Sequence, residues 1–249
     1  MSNAILAAYL VAMGSADALQ DPLYTLTESP NQHEAGDYSF GVFDQVRIGI
    51  SDRVELGFTG LTSLTGPDPA LRYIVKSNEK HAFSVTGGLS LPTYGLRLMQ
   101  GTVLTSDQVI PWVLIPGLGF NSSHHTDNFD WSVGALTRFG VPLSAVEDGE
   151  RPFTQTDMAW LDPMIAPMTD GYTVALLASI EHRPTPTTRL VVNTRAQWSA
   201  GLDINARMIG WLAVGKHSEI GLGGVVARET FGYGSNWRAA PRLDWRWRF

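Results

Sequence analysis

Arginine recurs on the polar face of several strand-like segments, where it could bind carboxylates or phosphates. In the stretch LDWRWRF, residues 243–249, Asp244, Arg246 and Arg248 alternate with four apolar residues. Successive side chains of a strand point to opposite faces, so this spacing puts the three charges on one face and the apolar residues on the other. A guanidinium group can bind an anion through two parallel hydrogen bonds. The pattern therefore predicts a surface that attracts anions.

The two faces of this segment limit the surroundings that it fits. In a soluble sandwich the charged face would meet water, and the aromatic side chains would fill a core. In an outer-membrane barrel the apolar face would meet lipid, and the charged face would line a wet lumen. Phe249 favours the barrel, because a closing strand that stops on an aromatic residue puts that side chain at the membrane interface.

Composition narrows the class of protein. The chain has 249 residues, 44% of them hydrophobic, with 25 glycines, no cysteine and a net charge of −6. This length is enough for one large all-β domain or two small ones, and the lack of cysteine excludes disulfides and cysteine-bound metals. The sequence has no run of about 18 apolar residues, so a membrane-spanning helix is not predicted.

The N-terminal stretch AILAAYLVAMGSADALQ has features of a secretory signal. An apolar run from Ala4 to Met13 is followed by the small residues Ser15, Ala16 and Ala18. This predicts a signal peptide over residues 1–19, cleaved near Ala18. A signal normally carries a lysine or arginine before the apolar run, and this stretch has neither. The alternative is a retained segment that forms a short helix packed in or under the rest of the fold.

Alternating segments separated by turn residues recur from residue 38 onward, and their length suits the roughly 9 to 11 residues of a tilted membrane strand. Strands are predicted over 38–50, 53–61, 70–77, 80–91, 109–120, 127–142, 171–183, 187–199, 203–214, 218–229 and 239–249, with a weaker one over 22–28. With the weak strand the count is twelve. The fold class predicted is all-β: an antiparallel transmembrane β-barrel formed by the single domain 20–249.

The connections between these strands differ in length by parity. With Phe249 at the periplasmic end, the periplasmic links are all short: GKHS, RPTPT, NSSHHTD, SNEK and SDR. The outer links are mostly long, above all 92–108 and 143–170, with SAGL as a short exception. Short periplasmic turns and long outer loops are typical of outer-membrane barrels. One strand breaks the pattern, because Asp44 would face lipid beside Val42 and Val46; a bulge near Asp44 or a covered strand edge would resolve this.

The stretch VRIGISDRVELGF resembles the strand, tight turn and strand unit of outer-membrane porin families, including those found beside pathways for degrading aromatic compounds. HAFSVTGGLSLPT and LDWRWRF are similar to the same class. The resemblance covers residues 38–249 as a pattern of strands. It implies a fold and an outer-membrane location, and it carries over no catalytic residue.

The polar face of each strand, assigned to the lumen, is rich in arginine. The residues predicted to form a selectivity surface are Arg138, Arg189, Arg195, Arg207, Arg242, Arg246 and Arg248. Arg47, Arg72 and Lys76 lie on the same face. The predicted counter-charges are Glu55, Asp130, Glu181, Asp203 and Asp244. Two interpretations stay open: a basic lumen that conducts or binds anions, or paired charges that only fill a narrow barrel.

The loop FTQTDMAWLDPMIAPMTDG, residues 153–171, is too apolar for a loop that only meets water. Met158, Trp160, Met164 and Met168 are its distinctive residues. The loop could fold into the lumen as a constriction, lie on the outer leaflet, dock a partner through adaptable methionine contacts, or cap neighbouring loops.

Enzymatic and metal chemistry find little support. No catalytic residue and no cofactor are predicted. His124 and His125, in the predicted turn NSSHHTD, could bind a metal, but adjacent turn histidines are usually only solvated, so no metal site is predicted. GLGG at 221–224 opens no helix; it marks a strand with room for bulky neighbours. An acidic chain with inward arginines also gives no reason to expect nucleic acid as a partner.

The function predicted is that of a small channel or porin in the outer membrane of a Gram-negative bacterium, passing small anionic or polar solutes through the arginine-biased lumen. The alternative is a sealed structural or docking barrel whose loops bind other envelope components. The partners expected are the lipid bilayer, a small solute and, under the alternative, an envelope protein.

Overall fold

Twelve antiparallel strands follow one another around a closed barrel. The computed structural model describes residues 26–27, 29–41, 45–59, 67–93, 96–97, 108–144, 151–152, 162–231 and 234–249. The barrel strands are β1 (Tyr38–Gly41), β2 (Gln45–Ser51), β3 (Val54–Thr59), β4 (Ala70–Ser77), β5 (His81–Ser90), β7 (Val113–His125), β8 (Phe129–Phe139), β11 (Tyr172–Thr185), β12 (Thr188–Trp198), β13 (Leu202–Ala213), β14 (Ser218–Phe231) and β15 (Gly234–Arg248). The predicted fold class is confirmed.

Short elements lie outside this ring of strands. β9 (Val141–Pro142) pairs with the start of β7, and β6 (Gln108–Val109) pairs in parallel with β10 (Arg151–Pro152). A helix, α1 (Asp162–Asp170), precedes β11. No helix among the described residues is long and apolar enough to cross a membrane.

Three neighbouring strand pairs of the ring are not joined by a hairpin: β5 with β7, β8 with β11, and β1 with β15. The first and the third are called seams. β5 pairs with β7 in continuous register from His81 opposite His124 to Ser90 opposite Ile115. β1 pairs with β15, and Tyr38 and Phe249 exchange two backbone hydrogen bonds of 2.9 Å each. With both seams paired, every strand of the ring has a neighbouring strand on each side, as lipid surroundings favour.

The two ends of the barrel differ. One end, called the short-turn end, carries the connections 52–53, 78–80, 126–128, 186–187 and 214–217, together with Phe249. The other, called the loop end, carries the long connections 60–69, 91–112 and 140–171, besides three short ones. The predicted loops 92–108 and 143–170 both belong to the loop end and are only partly described, so their bounds stay predictions.

The outer surface is apolar on every side of the ring. Large apolar side chains at outward positions of six strands are exposed, among them Leu71, Val133, Leu176, Met208, Leu222 and Leu243. Aromatic rings lie near both rims. Tyr38 stacks on Phe249 at the short-turn end, with ring centroids 4.9 Å apart, and Phe139 and Tyr172 are exposed opposite each other at the loop end. This is the surface of a barrel immersed in lipid.

Three predicted elements are wrong. The segment 38–50 is two strands, since Tyr38 lies opposite Ile48 in an antiparallel pair and the chain therefore reverses between Gly41 and Gln45. The reversal supplies the twelfth strand and removes the reason to invoke a bulge, although Asp44 itself lies outside the described residues. The weak strand 22–28 is not formed where it is described, because Leu26 and Thr27 are helical and buried. NSSHHTD is mostly strand, because β7 continues to His125.

Candidate functional site

A stretch of chain that precedes β1 lies inside the barrel. This inner segment comprises residues 26–27 and 29–33. Leu26 is completely buried, in a cluster with inward-facing side chains of three strands: Ala70, Leu136, Ala175 and Leu177. From there the segment runs toward the short-turn end. A turn at Gly36, whose φ of 89° suits glycine, then leads into β1.

Three inward-facing glycines make room for the inner segment. A Cβ atom added at Gly57 would lie 3.1 Å from Cδ1 of Leu26. One added at Gly134 would lie 3.1 Å from Cγ2 of Thr27, and one at Gly119 would collide with Oγ1 of the same threonine. Glycine within a strand often marks a close approach of other chain. The glycines of β3, β7 and β8 therefore shape a groove for Leu26 and Thr27.

Two arginines of the barrel wall hold the backbone of the inner segment. Arg72 donates hydrogen bonds to the carbonyl oxygens of Leu26 (3.0 Å), Ser29 (2.9 Å) and Asn31 (2.5 Å). Arg47 donates to the Asn31 carbonyl (2.7 Å) and to Oγ of Ser29 (3.2 Å). These bonds satisfy carbonyl groups that have no strand partner, which is what a buried irregular segment needs to be stable.

Glu55 forms ion pairs with both of these arginines. Its Oε1 atom accepts a hydrogen bond of 2.6 Å from Nε of Arg47, and its Oε2 atom accepts one of 2.5 Å from Nη2 of Arg72. Nδ1 of His33 lies 3.0 Å from Oε1. Glu55 is completely buried. Buried charges are tolerable only when they are paired and hydrogen-bonded, and this carboxylate meets both conditions.

His33 lies outside the strands. Burial lowers its pKa below the ordinary value, while the hydrogen bond with Glu55 acts in the opposite direction. The net effect favours the neutral imidazole in the folded protein.

A second charge network joins inward-facing side chains of β8, β11, β12 and β14, on the other side of the lumen from Glu55. Arg183 bridges Asp130 and Glu181, with 3.0 Å from its Nε atom to Oε1 of Glu181. Arg189 lies 2.7 Å from Glu219 and 3.5 Å from Glu181. The amide of Asn31 also reaches Glu181, at 3.4 Å, so the inner segment contacts this network as well.

A cavity of about 720 Å³ opens beside the inner segment at the short-turn end. Its lining includes turn residues such as Asp127 and His217. Seven arginines line it: Arg47, Arg183, Arg189, Arg207, Arg242, Arg246 and Arg248. Four carboxylates line it: Asp37, Asp127, Glu181 and Glu219. The cavity wall therefore carries an excess of positive charge.

Trp211 lies within this wall and contacts two of its arginines. The guanidinium carbon of Arg246 is 4.4 Å from the centroid of the indole, and that of Arg189 is 5.0 Å away. Such cation–π contacts orient arginine side chains that would otherwise repel one another. Gly221 on the neighbouring strand makes room for this ring, because a Cβ there would lie 2.9 Å from the indole.

The predicted selectivity arginines are distributed unevenly. Arg189, Arg207, Arg242, Arg246 and Arg248 line the cavity, and all belong to β12–β15. Arg138, buried on β8, and Arg195, half-buried on β12, are not among the lining residues. The structure thus brings together five of the seven.

The predicted counter-charges contact different partners. Glu181 lines the cavity, Glu55 holds the inner segment, and Asp130 pairs with Arg183. Asp244 is buried 3.4 Å from Arg242, and Asp203 is half-buried opposite Gln197.

The methionine-containing loop is described only in its last part. Met158 and Trp160 lie outside the described residues. Met164 and Met168 belong to α1, a helix that lies against β7, β8 and β11 at the loop end. Gly140 allows this packing, since a Cβ there would collide with the carbonyl of Pro167. A role as constriction or docking loop stays a prediction.

The inner segment, which includes Ser29, Asn31 and His33, was not predicted from the sequence. The signal that could have revealed it was the inward-facing glycines of β3, β7 and β8. A lumen lined by bulky polar residues has no need of glycine at three neighbouring inward positions unless another piece of chain fills the space.

No protein-family model matches the chain, and no curated protein sequence matches it. Among solved structures it is similar to the KdgM porin, at 11% identity and a TM-score of 0.42, over 86% of this chain and 98% of that one. It is also similar to OmpT, an outer membrane protein of Vibrio cholerae, at 8% identity and a TM-score of 0.45, over 82% of this chain and 64% of that one.

A third similar structure is CdiB from Acinetobacter baumannii, at 11% identity and a TM-score of 0.28, over 86% of this chain and 50% of that one. Likeness at this level transfers no function. The architecture of this chain is a closed antiparallel barrel with an apolar outer surface and aromatic rims. This architecture identifies the chain as a β-barrel of the bacterial outer membrane.

Proposed function

We propose that the protein is a channel for small anionic or polar solutes, in which the inner segment narrows the lumen and the arginines of β12–β15 form the surface along which the solute passes. The observation that carries this proposal is the arginine-lined cavity of about 720 Å³ at the short-turn end. An excess of positive charge in a water-filled space lowers the barrier for anions and raises it for cations.

The division of the lumen supports this function. The inner segment is bound by β2, β3, β4, β7, β8 and β11 through Arg47, Arg72, Asn121 and the groove for Leu26. The cavity arginines come mainly from the remaining wall. Carboxylates such as Glu181 and Glu219 already contact several of these arginines. Partial neutralisation suits passage, because a solute must bind weakly enough to leave.

The second candidate is a sealed structural or docking barrel. One observation favours it: the inner segment is held by buried hydrogen bonds and an apolar cluster, as a permanent filling would be. Under this alternative the paired lumen charges stabilise the barrel, and its function lies in loops that bind envelope proteins. Neither candidate assigns an enzymatic activity to the chain.

The deciding experiment is planar-bilayer conductance of the refolded full chain under a salt gradient. Folding is checked first by heat-shifted mobility in gels. Steady conductance steps with a reversal potential that indicates anion preference would support the channel. A folded barrel that stays silent, or one that prefers cations, would contradict the proposed anion path, and silence would favour the sealed barrel.

The resemblance to porins found beside aromatic-compound pathways gives a finer proposal about the solute. We propose that aromatic carboxylates are accepted. The test compares permeability to benzoate and to acetate, which carry the same charge, from reversal potentials in bi-ionic conditions. Exclusion of benzoate under conditions in which acetate passes would contradict this finer proposal and leave the channel itself unaffected.

A further inference from the structure

Two histidines from strands far apart in sequence meet on the outer face of the barrel. His81, the first residue of β5, lies directly opposite His124 of β7. Their Nδ1 atoms are 3.3 Å apart, and their ring centroids are 4.5 Å apart. The pair lies at the short-turn end beside the turns 78–80 and 126–128, in an exposed position. His125 diverges from it, because its ring lies inside the barrel beside Asp130.

The separation of the two nitrogens matches the distance between two ligands of one tetrahedral metal ion. Zinc binds imidazole nitrogen at about 2.0 to 2.1 Å in tetrahedral geometry, which places two such nitrogens about 3.3 to 3.4 Å apart. Neighbouring ligands in a square-planar site would be closer, at about 2.8 to 2.9 Å. The two nitrogens are also within reach of a direct N–H···N hydrogen bond, and the titration described below distinguishes that contact from a metal site.

We propose that His81 and His124 form a zinc site that links β5 to β7. The remaining coordination positions belong to solvent, because the described part of the chain holds no group of three or more histidine, cysteine, aspartate or glutamate side chains placed for a metal. The two protein ligands are both imidazole nitrogens, a ligand type that binds zinc well.

Both ligands are held in place before a metal arrives. The ring of His124 contacts Trp131 on its other neighbour, β8, with centroids 5.7 Å apart. The backbone at His81 is fixed by Asn78, whose Oδ1 accepts hydrogen bonds from the amides of Lys80 (3.0 Å) and His81 (2.8 Å). Ligands carried on paired strands lose little freedom on binding, which favours affinity.

Such an ion would act at one of the two seams. β5 and β7 are separated by the long connection 91–112, and their paired histidines are 43 residues apart in sequence. The unfolded chain does not hold the two rings together, so zinc binds the folded barrel preferentially and stabilises it.

The test is a calorimetric titration of zinc into the full chain, refolded in detergent after metal removal. One zinc per chain is expected. His81→Gln and His124→Gln should each weaken binding by about tenfold or more, since losing a ligand costs at least as much as losing its outer-shell support. His217→Gln is the matched control: His217 is also exposed at the short-turn end but stacks on Phe249, and its replacement should leave the affinity unchanged.

Two further measurements separate a site from adventitious binding. Cobalt should give the visible absorption bands of tetrahedral coordination in the wild type and in His217→Gln, and neither His81→Gln nor His124→Gln should show them. Zinc should also raise the thermal unfolding midpoint in the first two proteins only. Affinity that is equal in all four proteins, or no binding by the wild type, would overturn the proposal and leave the pair as a simple ring contact.

Discussion

Nη2 of Arg72 lies 2.5 Å from Oε2 of Glu55, and the same guanidinium group hydrogen-bonds the carbonyl oxygens of Leu26 and Ser29. One ion pair between neighbouring strands thus also anchors the chain that fills the lumen. The stability of the barrel wall and the position of the inner segment are therefore coupled through Glu55, and this coupling can be measured.

Replacing Glu55 with glutamine should destabilise the barrel strongly. The change leaves Arg47 and Arg72 buried without their shared carboxylate, and breaking a buried ion pair from one side typically costs about 3 to 5 kcal/mol. The measurement is the free energy of unfolding in urea, in detergent micelles. Glu219→Gln is the control, because Glu219 also lies between two arginines but its side chain is 18% exposed against 0% for Glu55. Equal losses in the two variants would contradict a special role for the buried carboxylate.

Gly119→Val should displace the inner segment and increase conductance. The new side chain would occupy the position of the Thr27 hydroxyl, and overpacking of this kind costs about 1 to 3 kcal/mol. Gly87→Val, in the paired strand β5, is the control, because a Cβ there would meet no described atom within 4 Å. We expect larger single-channel conductance for the Gly119 variant than for wild type and the Gly87 variant. Unchanged conductance in a folded Gly119 variant would show that the segment does not limit the path.

Arg207→Glu should reduce or invert the anion preference of the channel. Arg207 lines the cavity, so the substitution changes the local charge by two units where a permeating ion passes. The reversal potential under a salt gradient measures the effect. Arg53→Glu makes the same change in an exposed turn at the same end of the barrel and should shift the potential much less. If both variants shift it equally, general surface charge sets the preference and the lumen does not.

The stability of the protein should fall as the pH is lowered past the ordinary pKa of histidine, partly because of His33. Burial depresses the pKa of His33 in the folded state, so the unfolded chain takes up a proton first, at about pH 6.5. The folded state keeps the full stability that His33 provides in its neutral form above about pH 6.5, and that stability decreases as the pH falls below this value. Unfolding free energies measured from about pH 8 to about pH 5.5 should decline less steeply in His33→Gln than in wild type. Identical slopes would mean that His33 does not contribute.

The strands could be predicted from sequence because their signal is local. Residues 172–181 alternate between outward apolar and inward positions at every step, and membrane lipid enforces that alternation along the whole strand. The same rule fails where two short strands share one run of apolar residues. Residues 38–50 read as a single strand, although Ser39 lies opposite Arg47, because alternation carries no information about a reversal of direction.

The inner segment could not be predicted because its partners are remote. The hydrogen bonds that hold it join residues 46, 94 and 150 positions apart: Leu26 with Arg72, Thr27 with Asn121, and Asn31 with Glu181. No periodicity within residues 22–33 encodes such contacts. The arginine pattern was visible, but its division between holding this segment and lining the cavity depends on which strands the segment touches.

The seam between β1 and β15 also bears on how the inner segment enters the barrel. The inner segment lies just before β1, which pairs with β15 across more than 190 residues of intervening chain. Contacts between such distant parts of a chain form slowly. Before β1 and β15 pair, the curved sheet is open along that edge. The inner segment therefore does not have to be threaded into a closed barrel. We therefore expect the barrel to close around the inner segment.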